Sequence, residues 1–499
     1  MPINLRLMQP AYRSAMNRQI PRGPGPVSQT PGPDANGRFF DRAGSRIARA
    51  LRGITSAARV RFTGAVRPEL PDEDLQRLRD RIEACVVARG GEVSARAQAA
   101  TIGGIYLELS PPGRLRFLSL LVEHFGCDPD AVRLASAALA QASTPDDAAS
   151  AGQQLRKLLE PRRIRLLKRF NGITGGVKFL VDLHADLQRF AREAPHLAPL
   201  ADDLRELLAS WFDAGFLELR SIDWNAPAAL LEKLIAYEAV HAIRSWDDLK
   251  NRLDSDRRCF AFFHPSMPDE PLIFVEVALV NGMAGTIGEL LDENAVASDP
   301  ETADTAVFYS ISNAQAGLAR ISFGDFLIKR VVHELSQNFP NLNTFVTLSP
   351  IPGFANWLAE NASETGAGIP VAEIQPLVAL TGIQDVGAAL QSLLPDSLWP
   401  GNPHKARALQ PVLMRLCARY LLHEKRSGGG AKDPVAHFHL SNGARVERIN
   451  WLADISANGM RQSHGLMVNY LYKLSEIEKN YERYSNGNIA AASILRSKK

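Results

Sequence analysis

The sequence predicts an α+β fold, with an all-helical bundle first and a domain of interleaved strands and helices after it. Three observations predict it. From about Leu70 to Leu208 apolar residues recur at spacings of three and four, and no alternation of period two appears. After about Trp211 short apolar runs bounded by turn residues take over. Within that second half, residues 308–354 read as strand, glycine-bearing loop, amphipathic helix, strand, then an opening ridden with prolines. At 499 residues the chain is too long for one ordinary core. The expected division is a tail over 1–61, a helical bundle over 62–208 and a mixed domain over 209–499.

The helical elements come first. DEDLQRLRDRIEACVVARG (72–90) opens on Asp72 as its N-cap. GRLRFLSLLVEHFG (113–126) ends in glycine, as helices commonly do. The stretch 150–194 reads as two helices broken near 171–176, and loops of modest length favour antiparallel neighbours. Its histidines His124, His184 and His196 are scattered, which fits surface or capping roles. In the second half, CFAFFHPSMPDEPLIFVEVALV (259–280) holds two apolar runs around a Pro/Asp/Glu turn, a hairpin with His264 near its tip. TAVFYSIS (305–312) is a strand. GDFLIKRVVHELSQNFP (324–340) is a helix that buries Ile328, Val331, Val332 and Leu335 along one stripe. NTFVTL (343–348) is a strand, and helices return between about 371 and 424. AHFHLSNGARVERINW (436–451) reads as a second hairpin on an Asn442-Gly443 turn.

Composition excludes some classes. Hydrophobic content of 45% with 22% charged residues is that of a soluble globular protein. A formal charge of +3 is near balance, and the arginine-rich start has few aromatics, so nucleic acid is not an expected partner. No apolar run approaches the ~20 residues that cross a bilayer, so no membrane partner is expected. Cys85, Cys127, Cys259 and Cys417 form no CxxC pair, which argues against structural zinc and for a reducing compartment. The first 61 residues hold eleven arginines, no lysine or glutamate, and only Asp34 and Asp41 as acids. Residues 21–37 cannot build a core, and a disordered tail is expected there. An organelle transit peptide has the same composition. The compartment expected is therefore the cytoplasm, with the mitochondrial matrix as the alternative.

Three segments offer chemistry. GLARISFGD (317–325) joins a strand to a helix, and N–H groups at a helix start can hold a pyrophosphate. It matches neither a Walker A loop nor GxGxxG, and a turn that binds nothing is the alternative. In LSPIPGF (348–354) Pro350 and Pro352 lack ladder donors, so regular pairing should stop there, with Ser349 at the mouth. A strand peeling from its neighbour leaves backbone groups that an extended ligand can satisfy. A strand end with a capping serine is the alternative, and no GxSxG elbow makes Ser349 a nucleophile. Third, His437 and His439 would share one face of a strand, but no carboxylate or cysteine partners at metal-binding spacing accompany them. His264 is expected to be structural. Lys329 and Arg330 face either a phosphate or solvent.

Taken together, the segments resemble the malonyl-CoA decarboxylase family. The similarity runs through GGVKFLVDLHADL, DRRCFAFFHPSMPDEPL, FYSIS, GLARISFGDFLIKRVVHEL, LSPIPGF, RALQPVLMRLCARYL, DPVAHFHLSNGARVERINWLAD and MVNYLY, in order over about 66–472. It implies a catalytic half of the GNAT-type N-acetyltransferase fold, preceded by a helical domain that mediates oligomer contacts, with a homotetramer as the assembly. It implies malonyl-CoA as substrate, acetyl-CoA as product, and no metal or organic cofactor. The family's catalytic serine and histidine match Ser349 and His439. Its CoA loop matches Ala319, Arg320, Ile321, Ser322, Phe323, Gly324 and Asp325, although this chain has Ala319-Arg320 where the family has Gln-Gly. A further active-site serine matches Ser310. An acyl-CoA-dependent acetyltransferase and a non-catalytic acyl-CoA-binding protein are the rival readings. Either is separated from a decarboxylase by incubation with malonyl-CoA alone.

Overall fold

The computed structural model describes residues 66–496, except 320, 322–325, 362–365, 367 and 397. The arginine-rich tail and five residues of the loop matched to CoA (Arg320, Ser322, Phe323, Gly324 and Asp325) lie outside the described residues.

The first half is helical, as the spacing predicts. Helices span Asp72–Val86, Gly91–Glu108, Pro111–His124, Pro129–Ala140, Pro145–Leu158, Arg162–Asn171, Gly176–Phe190 and Ala198–Trp211. Three of them begin with a hydroxyl or carboxylate followed by proline. Ser110, Asp128 and Thr144 each accept from a backbone N–H of the first turn. The proline behind each cap removes a donor that had no helical partner. Asp72 is not a cap: Pro71 holds that position, and Asp72 lies in the first turn, where its charge suits the helix dipole. The stretch 150–194 is broken not only at 172–175 but also at Pro161, which starts the helix Arg162–Asn171. Tyr106, Phe117, Phe170 and Phe179 meet edge-to-face at centroid distances of 4.9–5.8 Å and tie four helices into one core.

The second half is built on one sheet of strands β1 (Glu218–Ile222), β2 (Arg257–Phe263), β3 (Ile273–Val280), β4 (Thr305–Asn313), β5 (Thr344–Thr347), β6 (Ser349–Pro350), β7 (Arg445–Asn450) and β8 (Met467–Leu471). The order is β1-β2-β3-β4-β5-β8-β6, with β7 also on β8. β1 to β4 are antiparallel, and β4 and β5 are parallel, joined by the helix Phe326–Asn338. A parallel pair needs such a crossover. The helix buries Ile328, Val331, Val332 and Leu335 as its stripe predicts. The fold is α+β: a helical half, then a mixed sheet with helices packed on it.

Two irregularities shape the sheet. Between β3 and β4 the register shifts at Glu276/Val277, so Tyr309 is an extra residue on β4. Then β4 and β5 part. Their pairing runs only from Thr305–Thr344 to Phe308–Thr347, and the Leu348 N–H to Phe308 carbonyl bond closes it. Among the described residues β4 has no strand partner on that side beyond Phe308. The predicted stop at the prolines is thus only half right. Ser349 and Pro350 leave β4 but pair with Val468 and Met467 of β8. Proline removes a donor and not an acceptor, so a short bridge survives.

The predicted second hairpin is not one. Residues Pro434–Ser441 form a helix, and only Arg445–Asn450 is strand. The Asp433-Pro434 pair explains this: Asp433 accepts from the N–H groups of Val435 and Ala436, with proline at the first helical position. Gly443, at φ +80°, follows the helix end rather than turning a hairpin.

Candidate active site

The strand–helix correction decides the site. On a helix, residues two apart point to different sides. His437 and His439 therefore separate. His437 turns to the Tyr484 hydroxyl at 2.6 Å. His439 turns inward, and its Nε2 lies 3.1 Å from Ser349 Oγ. Ninety residues apart in sequence, Ser349 and His439 meet where β5 leaves β4.

A chain of hydrogen bonds fixes them. Ser349 Oγ donates to Thr347 Oγ1 at 2.8 Å, and Thr347 Oγ1 also accepts from the Tyr470 N–H. With its own proton spent on Thr347, the serine oxygen is free to accept from His439 Nε2–H. The opposite nitrogen, Nδ1, then accepts from the Tyr472 hydroxyl at 2.8 Å. The tautomer with the proton on Nε2 follows from this network. Tyr470 stacks on the imidazole, with centroids 4.6 Å apart and planes 25° apart. Burial pushes the His439 imidazole down to about 3, so the ring is neutral in the free protein at neutral pH.

Asp433 ties the two halves of the site together. Fully buried, it caps the His439 helix through Oδ1, and its Oδ2 accepts from the Gly353 N–H at 3.3 Å, in the turn just after Ser349. The helix that carries the histidine is thereby fixed to the loop that follows the serine.

Ser349 and His439 line a cavity of about 740 Å³. Its walls are largely apolar and include Val240, Ile311, Leu318, Ile321 and Phe438. It occupies the gap between the parted strands, and Tyr309, Ile311 and Asn313 of β4 line one side. Among the described residues no group of three or more His, Cys, Asp or Glu forms a metal site.

The remaining expected residues fall as follows. Of the matched loop, Ala319 and Ile321 are described; Ile321 is buried against the cavity. Ser310 is buried, but its hydroxyl lies 2.8 Å from both oxygens of Glu238 and does not line the cavity. Glu238 also accepts from Ser312 Oγ and from the N–H groups of Val240 and His241. Ser310 is thereby linked to the Val240 wall through Glu238. His264 is structural: one nitrogen reaches the Trp211 carbonyl and the other accepts from the Ser266 N–H. Arg330 donates to the Leu217 carbonyl at 2.9 Å. His184 does not match its expected surface or capping role. It is 1% exposed and bonded to the Gly317 carbonyl.

Sequence reasoning missed Thr347, Tyr470, Tyr472 and Asp433. A signal existed for three of them. Tyr470 and Tyr472 in MVNYLY are spaced by two on a strand and so share a face. Thr347 likewise stands two residues before Ser349.

Comparison with known proteins places this chain in a family. Residues 215–498 match the model "Malonyl-CoA decarboxylase C-terminal domain", and residues 125–212 match "Malonyl-CoA decarboxylase N-terminal domain". The mitochondrial malonyl-CoA decarboxylase of Rattus norvegicus is 37% identical over 472 residues, covering 91% of this chain and 93% of the rat protein. The solved structure of malonyl-CoA decarboxylase from Rhodopseudomonas palustris is 43% identical with a TM-score of 0.76, covering 85% of this chain and 99% of that one. That from Agrobacterium vitis is 42% identical with the same TM-score and coverage. With models matched in both halves and relatives similar over most of its length, the chain belongs to the malonyl-CoA decarboxylase family.

Proposed function

We propose that this protein is a carboxy-lyase that converts malonyl-CoA to acetyl-CoA and CO2, with Ser349 and His439 as its catalytic pair. The observation that carries the reading is the buried Ser349–His439 contact at the end of an apolar cavity between parted strands. The open edge of β4 beyond Phe308 suits the amide groups of a pantetheine arm, which can pair as an added strand. The loop of 319–325, leading into the helix that starts at Phe326, would receive the CoA pyrophosphate.

The chemistry asks little of the protein. The bond to the malonyl carboxylate must stand out of the thioester plane. Its electrons then pass into the thioester as CO2 leaves, and the resulting enolate takes one proton on carbon. When substrate binds, the Ser349 hydroxyl turns its one proton from Thr347 Oγ1 to the carboxylate and orients it by hydrogen bonding. His439 Nε2–H faces the thioester oxygen and stabilises the developing oxyanion, usually the largest catalytic term. The incoming carboxylate places a negative charge by the imidazole and favours its protonated form. The ring takes up one proton from solvent as the substrate binds, and the imidazolium gives that proton to carbon and returns to the neutral form. Tyr472 fits both states of the ring, because a hydroxyl donates to a bare Nδ1 and accepts from a protonated one. Tyr472→Phe is expected to lower kcat about tenfold with little change in KM, read from steady-state CO2 release. An unchanged kcat would remove Tyr472 from this account.

The helical half would supply contacts of a homo-oligomer, with a tetramer as the expected assembly. Among the described residues no helix is long and apolar enough to cross a membrane. The cytoplasm is the expected compartment, and the mitochondrial names of the animal relatives favour the matrix as the alternative. The functional reading is tested by incubating the purified chain with malonyl-CoA and no acceptor. Equal amounts of acetyl-CoA and CO2 are expected. Consumption that depends on an added amine would favour an acetyltransferase instead.

A further inference from the structure

The helix Gly176–Phe190 belongs to the helical half, yet it lies directly on the turn that walls the cavity. The approach is close enough to require glycine. A Cβ at Gly317 would stand 1.8 Å from the Val181 carbonyl oxygen. Two side chains of this helix hold the turn. His184 Nδ1 donates to the Gly317 carbonyl at 2.5 Å, and Gln188 Nε2 donates to the Ala319 carbonyl at 3.3 Å. Between and just beyond those carbonyls stand Leu318 and Ile321, both buried and both lining the cavity. From the other side, Gln315 donates to the Pro271 carbonyl, so the turn is held at both ends.

We infer that His184 and Gln188 are positioning residues for substrate binding, through which the helical half sets the wall of the acyl-CoA cavity at Leu318 and Ile321. The physical reason is the buried carbonyl of Gly317. Without His184 it loses the partner it has among the described residues, and an unsatisfied buried acceptor is costly. The turn relieves that cost by rotating toward another donor, which moves Leu318 and Ile321. Neither His184 nor Gln188 lines the cavity, so they act on affinity rather than on the reacting atoms. The inference rests on the reading of the cavity as an acyl-CoA site. It gives the helical half a part in substrate affinity beside any part in assembly.

The test is steady-state turnover of malonyl-CoA by the full chain. His184→Phe keeps a ring but removes the donor. It is expected to raise KM about tenfold with kcat within about twofold. His184→Asn carries an amide N–H near the position of Nδ1 and is expected to return KM to within about threefold of wild type. Gln188→Leu is expected to raise KM about threefold. A KM for His184→Phe within twofold of wild type overturns the inference. So does a fall in kcat with KM unchanged, which is the mark of a purely structural role. Should His184→Phe fail to fold, Gln188→Leu decides: a raised KM supports the inference and an unchanged KM overturns it. If the wild-type chain releases no CO2, the functional reading fails and takes this inference with it. Wild-type turnover with unaltered KM in the variants overturns the inference alone.

Discussion

Replacing His439 with asparagine is expected to lower kcat for malonyl-CoA by about 10³-fold while leaving acetyl-CoA binding within about threefold. Two functions are lost together. The shorter asparagine does not reach the position of Nε2, so it neither donates toward the thioester oxygen nor gives a proton to carbon. Its amide stands near the position of Nδ1 and keeps only the contact to the Tyr472 hydroxyl, which holds that nitrogen at 2.8 Å in the wild type. The binding surface changes little, because His439 is one residue of a largely apolar cavity.

The same substitution has a signature in stability. The folded His439 is pushed down to about 3, below its unfolded value. Between the two values the unfolded chain binds a proton that the folded one refuses. Stability from this residue is therefore present above the unfolded value near 6.5 and is lost as pH falls toward 3. From pH 6.5 to 4.5 the loss is about 2–3 kcal/mol. Chemical denaturation of wild type and His439→Asn at both pH values checks this. The variant is expected to lose less stability over that interval, and equal losses would contradict the buried neutral imidazole.

Ser349→Ala is expected to lower kcat by about 10²-fold, with a smaller rise in KM. The serine hydroxyl is part of a relay from Thr347 through Ser349 to His439 Nε2. Its loss leaves the malonyl carboxylate without its orienting group, so fewer bound molecules hold the scissile bond out of the thioester plane. Alanine keeps the Cβ and removes only the hydroxyl, which takes a partner from His439 Nε2–H and Thr347 Oγ1, and stability should fall by about 1–2 kcal/mol. Steady-state CO2 release and thermal unfolding separate these effects. A kcat within threefold of wild type would assign Ser349 to the strand end alone.

Much of this fold was legible in the sequence, and the exceptions have physical reasons. Helix spacing over 70–208 and the stripe Ile328, Val331, Val332 and Leu335 were clear because one face is buried over several turns. The segment around His439 is helix and not strand because four residues of apparent alternation do not outweigh an Asp-Pro helix start. The Asn442-Gly443 pair serves a helix end as readily as a hairpin. Ser349 was legible as a strand-end residue, but its partner was not, since their meeting depends on how β8 and the Asp433-capped helix pack. Nothing local marks His184, because its partner, Gly317, is 133 residues away. The peeling of β4 from β5 was legible through the prolines; the change of partner to β8 was not.

The most direct test of the Ser349–His439 site compares single-turnover CO2 release from malonyl-CoA by wild type, Ser349→Ala, His439→Asn and the double variant, with acetyl-CoA binding measured on each. The expected result is intact binding throughout, losses of about 10² and 10³ in the single variants, and a double variant little slower than His439→Asn, since the two groups act as a unit. Folded variants that bind acetyl-CoA and all release CO2 within threefold of wild type would contradict the account.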